Sequence, residues 1–284
     1  MRNDIINASN AVHEVSGAVV DRLATPECPD SGIPAGSVPR DSARSPNALR
    51  GLTIVLPCFN EAENVADAIR YATQAAERCS IDHEIVVVDD GSSDDTSTIA
   101  ATFVERDRHV RLIVHPQNLG YGDALRSGIA AASMPWVLLT DADLQFDLRE
   151  IEDFLPYTQR ADLILGWRIL RQDPLHRRVN AAAWNWLVRR SFHLRVRDID
   201  CAFKLIRRDL LQSCQLSATG AMISTELLVK CRAAGGRMEE VGVHHRARVA
   251  GEQSGANPRV VARAFRELAT LRRALRREPS PAGL

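Results

Sequence analysis

Two aspartates one residue apart, Asp141 and Asp143, follow directly on an apolar run in the segment WVLLTDADLQFD. Like charges at that spacing repel, and burying them without a partner costs several kcal/mol. At the end of a strand both carboxylates can approach one hard cation. Mg²⁺ or Mn²⁺ takes one or two carboxylates together with phosphate oxygens and water. A cation held there neutralises a diphosphate as its bond to carbon breaks. The same pair also fits a turn cap or an exposed acidic loop. Three other apolar runs end in comparable polar clusters: PCFNE, DDGSSDDT and GWR. In open parallel α/β sheets, ligands collect beyond the carboxyl ends of the strands, so four such ends point to a site rather than to four unrelated caps.

The elements that must position these ends are read from periodicity. LTIVL, EIVVVDD, VRLIVH, WVLLTDAD and ADLILG are short, continuously apolar runs of buried-strand character, the first stopped by Pro57. Between them lie helical patterns. In NEAENVADAIRYATQAAERC, Val65, Ala68, Ile69, Ala72, Ala75, Ala76 and Cys79 share one stripe and Asn60 suits the N-cap. SDDTSTIAATFVERD, capped by Ser93 or Asp94, GYGDALRSGIAAAS and LREIEDFLPYTQ also read as helices. Strand–helix alternation with continuous apolar strands implies an α/β fold: a mostly parallel sheet with helices on both faces. Further on, RRVNAAAWNWLVRRSF is amphipathic, STELLVKCRAAGG is a helix closed by Gly235, and RMEEVGVHH is a strand. Val261, Ala264, Phe265, Leu268, Leu271 and Leu275 form a last helical stripe with arginines largely opposite.

Residues 1–50, with TPECPDSGIPAGSVPRDSARSPN, are rich in proline and poor in apolar residues and read as a loosely attached extension. The expected organisation is that extension, a catalytic domain over 51–255, and an arginine-rich amphipathic helix and tail over 256–284. The chain carries no net charge, but its charge is unevenly spread. Arg168–Arg197 holds eight arginines and one acid, and Arg259–Arg277 seven and one, which suits anionic ligands or solvated helix faces. The six cysteines form no CxxC pair, which argues against zinc and against a disulfide scaffold. No apolar run reaches the ~18–20 residues of a membrane span. The basic runs lack interleaved aromatics for base stacking, so nucleic acid is not an expected partner.

Six segments together, VLPCFNEAENV, EIVVVDDGSSDDT, NLGYGDALRSGIAAA, LLTDADLQFDLREI, DIDCAFKLIRR and EEVGVHHRARVAGEQSG, resemble glycosyltransferase family 2, the GT-A-fold nucleotide-sugar enzymes. Within that family the chain is most similar to the dolichol-phosphate mannose synthase and polyprenyl-phosphate sugar transferase group. The resemblance implies the residue roles. Pro57, Asn60 and Glu61 border the nucleotide; Asp89, Asp90, Gly91 and Ser92 hold base and ribose; Asn118 and Gly120 close over them. Arg126 lies near the diphosphate, Asp141 contacts ribose or metal, and Asp143 with Gln145 ligates Mg²⁺ or Mn²⁺. Arg168 binds the acceptor phosphate, assisted by Arg177 or Arg178. The DxxSGF motif of the family stands here as DIDCAF, Asp198–Phe203, with Cys201 and Ala202 departing from it. Glu226 faces the sugar pocket, and His245, Arg246 and Arg248 sit on a segment that closes over donor and acceptor.

The activity so implied is inverting sugar transfer from a UDP- or GDP-linked sugar to a polyprenyl phosphate. It would take place at the cytoplasmic face of a membrane, reached by a surface helix or through a membrane-protein partner. An ionised acceptor phosphate requires no strong base, so catalysis rests on positioning and charge. The alternative is a soluble hydroxyl acceptor, which requires a carboxylate base such as Glu226, Asp198 or Asp200. A nucleotidyltransferase or a non-catalytic nucleotide-sugar binder is the third reading. Trp184 and Trp186 fit either packing or a sugar platform.

Overall fold

The computed structural model describes residue 45 and residues 47–169, 186–192, 194–220, 222–247, 267–268 and 270–273. Its strands are β1 (Leu49–Cys58), β2 (Ser80–Asp89), β3 (Val110–Val114), β4 (Trp136–Leu139), β5 (Leu163–Ile169), β6 (Lys204–Arg207) and β7 (Met238–His244). The helices are α1 (Val65–Cys79), α2 (Thr96–Arg106), α3 (Tyr121–Ala131), α4 (described over residues 186–192), α5 (Arg208–Ser213) and α6 (Met222–Ala233). One seven-stranded sheet runs in the order β3-β2-β1-β4-β6-β5-β7. β6 is antiparallel to both β4 and β5, and the other pairings are parallel. The carboxyl ends of the six parallel strands and the amino end of β6 therefore meet along one edge.

Each strand sends alternate residues to opposite faces. Leu52, Ile54 and Leu56 of β1 face one core, closed by the stripe of α1, by Ala100 of α2 and by Ile151 and Phe154. Val55 of β1 faces the other, closed by Ala124, Leu125 and Ile129 of α3, Val188 of α4 and Leu227 and Leu228 of α6. The seven α1 positions expected to be apolar are its buried residues. Fixing the helices on both faces leaves the sheet edge as the place where polar loops converge.

Three local expectations change. Pro57 lies inside β1 rather than ending it, because the Val55 carbonyl addresses β4 and the Cys58 carbonyl addresses β2. Pro57 thus turns its missing N–H toward β4, whose pairing with β1 ends at Val55–Leu139. Asn60 is not the α1 cap: α1 begins at Val65, and Asn60 is left-handed with φ 55°. LREIEDFLPYTQ forms two 3₁₀ segments, Leu148–Asp153 and Leu155–Gln159, instead of one α-helix. Pro156 cannot donate to Glu152, and its ring would press on that carbonyl. α6 ends as expected, with Gly235 at φ 83° and the Gly236 N–H bonded to the Cys231 carbonyl.

Of the last helical stripe, Leu268 and Leu271 are buried. Val261, Ala264, Phe265 and Leu275 lie outside the described residues, as do Trp184, Arg177, Arg178 and Arg248. Trp186 is 65% exposed. Among the described residues no helix is long and apolar enough to cross a membrane.

Candidate active site

The loops after β1 and β2 are stitched to each other. The Asn60 N–H donates to the Ser92 hydroxyl at 2.9 Å, and the Asn60 side-chain oxygen accepts the Ser93 N–H at 2.8 Å. The Glu61 N–H donates to Thr96 Oγ1 at 2.8 Å. Asp94 accepts the N–H groups of Thr96 and Ala62, each at 3.1 Å. Buried Asp89 accepts the Ser92 N–H at 3.0 Å and also its hydroxyl. Gly91 sits at φ 70°, where a Cβ would lie 2.3 Å from the Gln117 carbonyl carbon, so the close approach of the next loop requires glycine. Asp90 turns inward. Its carboxylate accepts the N–H groups of Leu119 at 3.0 Å and Gly120 at 2.8 Å and pairs with His115 Nδ1 at 2.7 Å. Asp90 thus shapes the 115–120 loop, which carries Asn118.

The aspartate pair follows β4. The Tyr121 hydroxyl, at the start of α3, donates to Asp141 Oδ1 at 3.0 Å. Burial pushes the Asp141 carboxyl up from its ordinary value, and the Tyr121 hydroxyl and the charges of Lys204 and Arg168 pull against that. Asp143 is buried and accepts the Gln145 N–H at 3.1 Å, closing a turn around Leu144. Leu144 is left-handed with φ 59°, a conformation that costs a non-glycine residue about 1 kcal/mol or more. The Gln145 amide nitrogen donates to the Arg246 carbonyl at 3.0 Å, and the Arg246 N–H donates to the Gln145 carbonyl at 2.8 Å. Arg246 also reaches Asp147 at 2.8 Å, His244 Nδ1 meets Glu150 at 2.6 Å, and His245 lies edge-on to Phe146. The chain after β7 is therefore fastened along the aspartate loop.

Arg168, next to last in β5, forms a bidentate pair with Asp198, at 2.7 and 2.9 Å. Burial works against its charge and the Asp198 pair outweighs burial, so the guanidinium sits above its ordinary value. Cys201 is fully buried, its thiol pushed up to about 12 by burial. Glu226 is not open to a sugar pocket on both oxygens. It accepts the Ser217 N–H, the Ala218 N–H, the Ser217 hydroxyl and Lys230 Nζ, all within 2.9 Å. Burial would raise its carboxyl, and those donors outweigh burial and lower it. The loop so held supports α3, since the Gly122 N–H donates to the Thr219 carbonyl at 3.0 Å. Arg126 pairs with Asp123 on its own helix and reaches the Leu216 carbonyl at 3.4 Å.

Asp141, Asp143 and Gln145 supply oxygen donors on one turn, a set suited to a hard cation that completes its shell with phosphate and water. Among the described residues no three His, Cys, Asp or Glu side chains cluster to form a closed protein cage. Three site residues escaped the sequence reading: Tyr121, the buried Thr140 hydroxyl without a hydrogen-bond partner, and the buried Lys204 at the head of β6. A lysine inside the apolar run AFKLI was the available signal for the last.

A family model described as glycosyl transferase family 2 matches residues 53–214. The chain is 33% identical over 209 residues to an uncharacterized glycosyltransferase of Mycobacterium bovis, covering 71% of this chain and 88% of that protein. It is 30% identical over 230 residues to a dodecaprenyl-phosphate galacturonate synthase of Rhizobium johnstonii, covering 78% of this chain and 65% of that protein. An undecaprenyl-phosphate 4-deoxy-4-formamido-L-arabinose transferase of Salmonella choleraesuis is 28% identical over 218 residues, covering 75% of this chain and 65% of its own length. The chain thus spans less than two thirds of the length of the last two relatives. Among solved structures, glucosyl-3-phosphoglycerate synthase from Mycobacterium tuberculosis with Mn²⁺ and UDP-glucose superposes with a TM-score of 0.59 at 19% identity, over 83% of this chain and 82% of that one. The same synthase with phosphoglyceric acid gives 0.60 at 20%, over 83% of each chain. With that fold and that family match, the chain belongs to glycosyl transferase family 2 and is a GT-A-fold glycosyltransferase.

Proposed function

We propose that this glycosyltransferase moves a sugar from a nucleoside diphosphate sugar to a polyprenyl phosphate, with inversion at the anomeric carbon, at a membrane surface. The observation that carries the reading is the state of two of the three candidate carboxylates, Glu226 and Asp198. A hydroxyl acceptor needs a base to take its proton, but Glu226 accepts four donors and is held below its ordinary value. Asp198 is locked in its pair with Arg168. An acceptor phosphate is already ionised and needs no base, and the Arg168 guanidinium, which its pair with Asp198 keeps charged, stands at the same edge as Asp141. The prenyl-phosphate enzymes among the relatives support the same acceptor.

In this reading Asn60, Glu61, Asp89, Gly91 and Ser92 flank the nucleoside, and Asp90 fixes the 115–120 loop, with Asn118, over it. Asp141, Asp143 and Gln145 would hold Mg²⁺ or Mn²⁺, which when bound stabilises charge on the leaving diphosphate. Arg168 orients the incoming phosphate in line with the anomeric carbon. His245 and Arg246, fastened to the aspartate loop, close the acceptor side. The solved complexes of a synthase with phosphoglyceric acid favour a second reading, a small soluble acceptor.

Transfer of radiolabelled sugar from UDP- and GDP-sugars to undecaprenyl phosphate, with 3-phosphoglycerate as the competing acceptor, separates the two. Label in the lipid phase supports the proposal. Label only in the soluble acceptor replaces it with the second reading.

A further inference from the structure

We propose that Lys204 is a resident counter-charge of the donor site, fixing how strongly the Asp141–Asp143 turn takes free metal and how strongly the site takes a free nucleoside diphosphate. The proposal rests on reading this edge as a metal-dependent nucleotide site. Lys204 opens β6 and lies opposite Leu139, the last residue of β4, so its backbone stands two residues before Asp141. It is also opposite Leu165 of β5, which places it between two strands at the middle of the sheet edge. The side chain is 2% exposed, and the ammonium donates to the Cys201 carbonyl. Lys204 and Tyr121 line one cavity with Ala202, Leu216 and Ser224, and the Tyr121 hydroxyl is bonded to Asp141. A buried lysine is thus built in beside the aspartate turn. Burial lowers Lys204 from its ordinary value, and the carboxylates of Asp200, Asp198 and Asp141 pull against that without outweighing it.

A lone buried lysine is costly, and a methionine of similar length fills a strand position without that cost. A charge kept here acts on what binds. It repels a divalent cation arriving alone and attracts a diphosphate arriving alone. On the two together, whose charges largely cancel, it acts weakly. The site is therefore biased toward the metal–nucleotide unit and against free metal.

The test uses the full chain as wild type, Lys204→Met and Lys204→Arg. Mn²⁺ alone is titrated by electron paramagnetic resonance. UDP or GDP with chelator, and then with saturating Mn²⁺, is titrated by calorimetry. In Lys204→Met, free Mn²⁺ should bind about tenfold more tightly and the metal-free nucleotide about tenfold more weakly, while the pair changes less than about threefold. Lys204→Arg should match the wild type in all three titrations. A residue that merely braces the Cys201 turn would, when lost, weaken metal and nucleotide together. That outcome, or no change in either, overturns the proposal. Should Lys204→Met not fold, Lys204→Gln, whose amide can still donate to Cys201, runs the same titrations. Unfolding of both neutral variants assigns the ammonium to the fold and overturns the proposal. A wild-type chain that binds neither nucleotide with Mn²⁺ overturns the reading of the site itself, and the Lys204 proposal with it.

Discussion

In the proposed site Asp143 and Tyr121 would serve the same ligand in different ways: Asp143 would give a carboxylate to the cation, while Tyr121 orients its neighbour Asp141 through one hydrogen bond. Asp143→Asn should therefore abolish Mn²⁺-dependent nucleotide binding, with the far-ultraviolet circular dichroism unchanged. Retained Mn²⁺ dependence would remove Asp143 from the metal site. Tyr121→Phe deletes a hydrogen bond to a charged acceptor, worth about 1.5–3 kcal/mol. The melting temperature should fall by several degrees, and the donor KM should rise severalfold as Asp141 loses its orientation. The two aspartates were legible in sequence because they end an apolar run. Their geometry was not, since Leu144 takes a left-handed conformation with none of the glycine or asparagine that usually marks one. Tyr121 and Lys204 were hidden for another reason: Tyr121 bonds Asp141, and Lys204 comes beside the aspartate turn, only through tertiary packing, from a helix and a strand distant in sequence.

The elements show the same division between local and long-range causes. The α1 stripe and the apolar strands are statements about periodicity, and they reappear as the two cores. The 3₁₀ segments follow from Pro156, a local signal that outweighs the apolar spacing around it. Strand β6 is harder to read, because four residues, Lys204–Arg207, carry too little periodicity to reveal an antiparallel strand between β4 and β5. At the opposite end of the sheet, buried Glu84 ties four segments together. It accepts Thr53 Oγ1 at 2.7 Å, the Ser133 N–H at 2.6 Å and Arg111 Nη1 at 3.1 Å. Burial alone would raise its carboxyl, and these donors outweigh burial and lower it. A depressed carboxylate stabilises the fold above its unfolded-state value, about 4.3, and that contribution is lost as pH falls through the lower folded value. Glu84→Gln should cost about 1–3 kcal/mol near neutral pH. In urea titrations, the gap to wild type should narrow below pH of about 4. A gap constant down to pH 3 or so would mean that the charge of Glu84 contributes nothing.

Across the whole molecule, the sheet delivers the candidate site residues to one edge, and the lipid-borne acceptor proposed above would have to be met at a surface. Helix α4 offers one such contact. Its Trp186 is exposed while Val188 is buried, and Arg190, also exposed, lies one turn further along the same helix. An aromatic ring with arginines on a short surface helix suits the boundary between headgroups and acyl chains, with the guanidinium groups drawn to anionic lipid. Sequence composition suggested this from the arginine-rich run, but only the fold shows which tryptophan is turned outward within the described residues. If the acceptor is a polyprenyl phosphate, the full chain should co-float with vesicles containing anionic lipid and float less as salt is raised. Trp186→Ala should reduce flotation severalfold and slow transfer to undecaprenyl phosphate in vesicles, while leaving Mn²⁺-dependent nucleotide binding as in the wild type. Equal flotation of the two proteins would remove α4 from the membrane contact. Transfer to a short, water-soluble prenyl phosphate should be indifferent to the substitution, because that acceptor reaches Arg168 without a surface to dock on.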